Sequence, residues 1–128
     1  MNTQEFNAAI KGKKLQILSD NFGSHNGTEN YYKTFFPEMY YTDGIKELAD
    51  KLEAHWLIDA IVSYAPDTRK YDLVFWSLTS FNETALLECR LDSGLTPIIT
   101  QFIEYTDIPE GIFKIWQGNG VIYLPSEH

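Results

Sequence analysis

Three polar side chains of types used in acid–base catalysis follow one another at intervals of four residues: His55, Asp59 and Ser63. This spacing puts an imidazole, a carboxylate and a hydroxyl along one side of a helix, where they could exchange protons with a substrate. A catalytic triad needs groups that converge on one atom, and a stripe along a single helix rarely does so. We therefore favour the interpretation that the stripe is the solvated seam of an otherwise apolar helix.

The spacing of the other candidate ligands and nucleophiles does not favour metal or cofactor chemistry. His25, His55 and His128 form no HxH or HExxH pattern, and one cysteine cannot form CxxC. Cys89 falls on the inward phase of an alternating segment, which predicts a buried and unreactive thiol. Residues 23–28 contain two glycines without the spacing of a phosphate-binding loop. We expect neither a metal site nor a cofactor.

The chain is acidic, and this excludes several kinds of partner. Its 128 residues carry 18 acidic and 10 basic side chains, for a net charge of −8. Such a charge disfavours direct binding to nucleic acid or anionic lipid. There is no apolar run of membrane-spanning length and no pattern typical of a signal peptide, and the single cysteine allows no internal disulfide. We expect a cytoplasmic protein.

Aromatic and acidic residues together form the candidate partner-binding surface. Residues 31–41 contain six aromatic side chains, and exposed tyrosines often anchor protein interfaces. Carboxylates beside them would attract a basic partner protein in a salt-dependent manner. The residues predicted to carry this contact are Tyr31, Tyr40, Tyr41, Asp43, Glu47 and Asp50.

The elements that position these residues form two blocks along the chain. Apolar periodicity and capping residues predict helices in the first block, and Thr42 or Asp43 would cap the third of them. Their expected ranges are 3–10, 29–36, 43–53 and 54–64. Alternation predicts strands in the second block, with a tight turn at Asn119-Gly120. Their expected ranges are 72–79, 84–91, 97–105, 112–117 and 121–124.

This order of elements predicts an α+β fold in a single domain over residues 1–128. The N-terminal helices would pack on one face of a C-terminal antiparallel meander sheet of about five strands.

Four segments of the chain resemble an uncharacterised family of small bacterial and phage proteins. They are Gly27-Thr28-Glu29-Asn30-Tyr31-Tyr32, Thr42-Asp43-Gly44-Ile45-Lys46-Glu47-Leu48-Ala49, His55-Trp56-Leu57-Ile58-Asp59-Ala60-Ile61 and Leu124-Pro125-Ser126-Glu127. The match spans the chain from about residue 15 onward. Because the function of that family is unknown, the resemblance assigns no residue a role. It implies only a small accessory protein, encoded by a bacterium, a phage or another mobile element.

The leading hypothesis is a non-enzymatic protein that binds another protein. Such a protein could inhibit a host nucleic-acid-handling or defence enzyme by presenting carboxylates where phosphates would lie. One alternative is a small hydrolase-like enzyme with a site around His25, His55 and Asp59. A second alternative is a homodimer with a structural role.

Overall fold

The computed structural model describes residues 1–21, 27–35 and 37–128. Within these residues there are four α-helices: α1 (Thr3–Ile10), α2 (Asp43–Leu52), α3 (His55–Ser63) and α4 (Ala65–Thr68). The strands are β1 (Tyr31–Lys33), β2 (Tyr40–Thr42), β3 (Leu73–Phe81), β4 (Thr84–Arg90), β5 (Ile99–Ile103), β6 (Gly111–Gly118) and β7 (Val121–Tyr123). Single 3-10 turns lie at Ser19–Asn21 and Pro125–Glu127. The α+β fold class is thus confirmed.

All seven strands form one sheet in the order β1-β2-β7-β6-β3-β4-β5. Strands β2 and β7 are parallel, whereas every other neighbouring pair is antiparallel. The expectation of about five strands in a purely antiparallel sheet is therefore wrong. The five strands predicted in the second half are all present, and the two additional ones come from the aromatic segment.

The predicted helix over residues 29–36 is wrong for a reason visible in the hairpin that replaces it. Thr34 ties the two strands together, because its hydroxyl accepts from the backbone N–H of Met39 at 2.9 Å and its own N–H donates to the Met39 carbonyl. The tyrosines on either side have high strand propensity. Phe35, which the predicted helix would have turned toward the core, is 73% exposed. Phe36 lies outside the described residues.

Helices α2, α3 and α4 pack against the sheet through one main core. Thr42, one of the two predicted capping residues, caps α2, since its hydroxyl accepts from the N–H of Ile45. Alternate residues of β3, β4 and β6 meet the apolar helix faces, which is the arrangement expected for a sheet covered by helices. The core includes Ile45, Leu48, Leu57, Ile61, Val74, Trp76, Leu78, Leu87, Cys89, Phe113 and Ile115.

Helix α1 departs from the expected packing of all helices on one face. Phe6 is fully buried but lies outside the main core, and its ring meets that of Phe102 edge to face at 6.0 Å. The segment that follows α1 runs beside β6, where Ile112 exchanges backbone hydrogen bonds with Gln16 and Leu18 at 2.8 Å. These bonds satisfy the part of the β6 edge that the short strand β7 does not reach.

Two tight turns join consecutive antiparallel strands. Asn82 and Glu83 join β3 to β4 with φ of 52° and 61°, and Asn119 and Gly120 join β6 to β7 with φ of 54° and 76°. Positive φ at both central residues matches the right-handed twist of the flanking strands. The turn predicted at Asn119-Gly120 is confirmed. Within the described residues, no helix has the length and apolar character needed to cross a bilayer.

Candidate functional site

Asp43 lies at the centre of a hydrogen-bond network between the start of α2 and residues 28–32. Its carboxylate accepts from the backbone N–H groups of Glu29 and Asn30 at 3.0 and 3.1 Å, and from the hydroxyl of Tyr32 at 3.0 Å. Its own backbone N–H donates to the hydroxyl of Thr28 at 2.9 Å. These contacts order the segment that leads into β1.

The electrostatics of this network favour an ionised Asp43. Burial of the carboxyl group acts to raise its pKa, but the hydrogen bonds from Glu29, Asn30 and Tyr32 outweigh burial and lower the pKa to about 2. The pKa of Tyr32 is raised, chiefly because its hydroxyl donates to the same carboxylate. Asp43, predicted to face a partner, is thus engaged within the fold.

Glu127 completes the N-terminus of α2 from the other end of the chain. Its carboxylate accepts from the hydroxyl of Thr42 at 2.7 Å, the N–H of Gly44 at 3.1 Å and the N–H of Leu124 at 2.9 Å. A Cβ at Gly44 would lie 2.5 Å from this carboxylate, so the close approach requires glycine. Three of the four segments that carry the resemblance therefore meet around the start of α2.

Beside this network lies a cavity of about 420 Å³ between the sheet and the C-terminal turn. The rings of Tyr31, Tyr123 and His128 line it, together with the side chains of Thr28 and Glu127. The Tyr123 hydroxyl is 2.8 Å from Nδ1 of His128, and the two rings stack at 5.7 Å. The Glu127 carboxylate already accepts three hydrogen bonds from the protein itself. The main charged group of this cavity is therefore engaged in holding the fold together.

A larger cavity of about 510 Å³, here called the α3 groove, lies between α3 and the β1–β2 hairpin. The hairpin contributes Lys33, Thr34, Phe35 and Tyr41. Helix α3 contributes His55, Ile58, Asp59, Val62 and Ser63. The polar stripe found in the sequence is therefore solvated, and all three of its side chains line one concave surface.

The three stripe residues differ in the contacts they make. Nε2 of His55 is 2.6 Å from Oδ1 of Asp50, and the Ser63 hydroxyl donates to the carbonyl of Ala60 at 2.6 Å. Asp59 is exposed and makes no hydrogen bond or ion pair with any residue that the structure describes. The stripe does not contain a nucleophile hydrogen-bonded to a base. Of its three side chains, the carboxylate of Asp59 is the one that the described residues leave free to bind another group.

The predicted partner-binding residues are divided among different environments. Tyr31 and Tyr40 are exposed, whereas Tyr41 is half-buried in the α3 groove and stacks on Tyr32 at 5.3 Å. On the outer face of α2, two i,i+4 ion pairs engage the predicted carboxylates. They join Asp50 to Lys46 at 2.6 Å and Glu47 to Lys51 at 2.8 Å.

The remaining candidate ligands and nucleophiles are dispersed. His25 lies outside the described residues, and His128 packs against Tyr123, with Trp116 edge to face at 5.0 Å. Cys89 is buried as predicted, and burial raises the pKa of its thiol to about 12. Across residues 1–21, 27–35 and 37–128, no three His, Cys, Asp or Glu side chains are grouped as a metal site would require.

Sequence reasoning missed Lys33, Phe35 and Glu127. The first two become site residues only because 31–42 folds as a hairpin, and residues 31–36 lack the alternation of apolar and polar side chains that would have indicated a strand. No sequence pattern indicates that Glu127 reaches α2, because 83 residues separate it from Gly44.

Comparison with known proteins places the chain in a family without assigning an activity. No curated protein and no solved structure matches it. A family model does match over residues 16–128, which is most of the chain and includes every residue of the α3 groove. The chain therefore belongs to a family of unknown function, DUF6876.

Proposed function

We propose that the protein acts by binding another protein, and that the α3 groove receives a basic, partly apolar segment of that partner. The observation that carries this proposal is Asp59, an exposed carboxylate without a partner among the described residues, beside an exposed phenylalanine. A lysine or arginine head group would form a charge-assisted hydrogen bond to Asp59.

The walls of the groove suit the stem of such a side chain. Ile58 and Val62 are almost fully buried and form the apolar floor next to Asp59. Lysine and arginine pack their methylene groups on apolar surface while the charged end reaches a polar group. A carboxylate one turn from an apolar floor therefore matches both ends of a long basic side chain.

Phe35 supplies the anchor at the rim. Its ring is 73% exposed at the turn of the hairpin, and the ammonium group of Lys33 lies 6.0 Å from the ring centre. Burying a phenylalanine side chain contributes about 1.5–3 kcal/mol relative to leaving it in water. Tyr31 and Tyr40 are also exposed on this hairpin, but they alternate with Tyr32 and Tyr41 and so lie on the opposite face of the sheet from the groove.

The charge of the whole chain supports a basic partner. A net charge of −8 produces a negative field that would speed the encounter with a positively charged surface. Glu47 and Asp50 contribute to this field although each is ion-paired within α2. Enzymes that handle nucleic acid, including defence enzymes, present basic surface where phosphates bind. They are the class of host partner that this charge favours.

Affinity purification with the full chain as bait tests the proposal, using the wild type, Asp59→Lys and Phe35→Ala. Asp107→Lys is the matched control, because it makes the same charge change in the exposed loop between β5 and β6. We expect a specific protein that is retained by wild type and control and lost with both groove variants and at high salt. A partner that all four baits retain equally would contradict docking in this groove.

The alternative function is an enzyme that uses His55 and Asp59. The one observation in its favour is that both residues, with Ser63, line the same cavity. A test is turnover of chromogenic ester and phosphate substrates by wild type, His55→Gln and Asp59→Asn. Turnover lost in both variants would favour the enzyme, whereas equal background rates in all three would argue against it.

A further inference from the structure

The outer edge of β5 is the second surface that the fold leaves open for a macromolecular contact. Among the strands of the described chain, β5 is the last of the sheet and pairs only with β4. No hydrogen bond from elsewhere in the described chain reaches the backbone of residues 99–103 on that outer side. Thr100 is exposed and the other four residues are partly exposed, so no part of the described chain fully covers this edge.

This edge lacks the features that usually prevent strand addition. Proteins protect edge strands by keeping them very short or by placing charged residues, especially lysine, on them. β1, at the opposite edge, is only three residues long and ends in Lys33. β5 is five residues long and contains no charged residue, with the sequence Ile-Thr-Gln-Phe-Ile.

Large apolar side chains surround the same edge. Leu95 is 52% exposed and Ile98 is 41% exposed before the strand, and Tyr105 is 67% exposed after it. Single exposed apolar side chains are common on protein surfaces, but a group of them beside an open strand edge indicates a contact surface. The edge therefore offers both backbone hydrogen bonds and apolar area.

We propose that β5 pairs antiparallel with β5 of a second copy of the chain, centred on Gln101, to form one continuous fourteen-stranded sheet, twice the seven strands of one copy. In this register Ile99 faces Ile103 and Thr100 faces Phe102 of the other copy. The strand is thus complementary to itself over its whole length. A two-fold symmetric contact of this kind is the commonest arrangement among homo-oligomers.

The positions of the acidic residues allow two copies to pair along this strand, although each chain has a net charge of −8. The first acidic residue beyond the strand, Glu104, falls opposite Ile98 and not opposite its own symmetry mate. Like charges directly opposite each other in a sheet would be destabilising, and this register avoids them. The remaining repulsion is long-range, so salt should strengthen the dimer. Salt has the reverse effect on the basic partner of the α3 groove, which makes the two contacts separable.

Size-exclusion chromatography with light scattering tests the proposal over a range of concentrations and salt. We expect a concentration-dependent approach to twice the 14.8 kDa monomer mass, favoured by salt. Thr100→Lys should weaken the dimer about tenfold or more, because it places two lysines on the shared edge. Tyr31→Lys is the matched control, since it adds the same charge at the other edge strand and should leave the dimer unchanged. Circular dichroism verifies that both variants fold.

Disulfide trapping tests the register. Gln101→Cys should form a covalent dimer under mild oxidation, because the two copies of residue 101 face each other about 5 Å apart. Ile103→Cys should not form this disulfide. In the proposed register residue 103 of one copy faces residue 99 of the other, so the two introduced cysteines lie four residues, about 13 Å, apart along the strands. A monomer at every concentration, a dimer insensitive to Thr100→Lys, or equal trapping at both positions would overturn the proposal. Failure of the groove experiments would leave all of these outcomes unaffected.

Discussion

The carboxylate of Glu127 accepts a hydrogen bond from the backbone N–H of Gly44 at 3.1 Å, and so closes the N-terminus of α2 from 83 residues away. The first N–H groups of a helix have no partner within the helix, and negative charge near them is favourable. The same carboxylate binds the hydroxyl of Thr42 and the N–H of Leu124. One side chain therefore holds together the end of β2, the start of α2 and the C-terminal turn.

Removing this carboxylate should destabilise the fold. We expect Glu127→Ala to lower the free energy of unfolding by about 1–2 kcal/mol, comparable to the loss of a helix cap. Urea unfolding measured by tryptophan fluorescence gives the change. Glu104→Ala is the control, because Glu104 is exposed in the loop after β5. Equal midpoints for Glu127→Ala and wild type would show that the contact adds nothing.

Gly44 and Glu127 should also be coupled energetically. In Gly44→Ala the new methyl group would meet the Glu127 carboxylate at 2.5 Å and the Leu124 side chain at 2.8 Å. We expect a loss of about 1–3 kcal/mol, as for overpacking of a core. The loss should be smaller in the Glu127→Ala background, because one of the two clashes is then gone. A double-mutant cycle by urea unfolding measures the coupling, and strict additivity would contradict it.

The second half of the fold was predictable from local pattern because its strands show a period of two and one of its turns carries residue types that favour positive φ. This turn is Asn119-Gly120. The structure of the aromatic segment was not predictable in this way. The apolar residues from Tyr31 to Phe35 recur with neither the period of two of a strand nor the period of 3.6 of a helix. The second strand of this segment, β2, is held in the sheet by pairing with β7, which lies about 80 residues away along the chain, since Tyr41 is partnered by Ile122. Contacts over that separation leave no local signal.

Ionisation of Asp43 should make the fold sensitive to acid. The folded pKa of about 2 lies below the value of about 3.9 for an unfolded aspartate, so the carboxylate stabilises the fold above about pH 4. That contribution is lost as the pH falls from about 4 to 2. We expect Asp43→Asn to be less stable than wild type at neutral pH, with the difference shrinking in this range. Urea unfolding at a series of pH values measures it, and a pH-independent difference would contradict the mechanism.

The candidate site shows what sequence can and cannot assign. The stripe of His55, Asp59 and Ser63 was correctly placed on one side of a helix, because the spacing alone fixes that geometry. The other wall of the groove could not be predicted, since Lys33 and Phe35 reach it through the hairpin. The prediction for Asp43 was wrong in the opposite sense. Its carboxylate was expected to contact a partner protein, but it accepts hydrogen bonds from the backbone N–H groups of residues 29 and 30.

The thiol of Cys89 should be unreactive in the folded protein. It is fully buried in the core, and burial raises its pKa to about 12, so almost no thiolate forms at neutral pH. We expect a water-soluble disulfide reagent to label it only when urea unfolds the chain, with a labelling rate that follows global unfolding. Rapid labelling in native buffer, at the rate of a free thiol, would show that the strand opens locally.

Gln117 should be the most sensitive polar residue of the core. Its amide oxygen accepts from the indole N–H of Trp76 at 2.8 Å, and its amide nitrogen donates to the Thr68 hydroxyl at 2.9 Å. Gln117→Leu would leave the indole N–H buried without a partner, and we expect a loss of about 1–3 kcal/mol in urea unfolding. The same change at Gln101 is the comparison. That residue is half-exposed, so the hydroxyl of Tyr64, its present partner at 2.8 Å, can turn to water. Equal losses at both positions would mean that burial does not set the energetic importance of these amides.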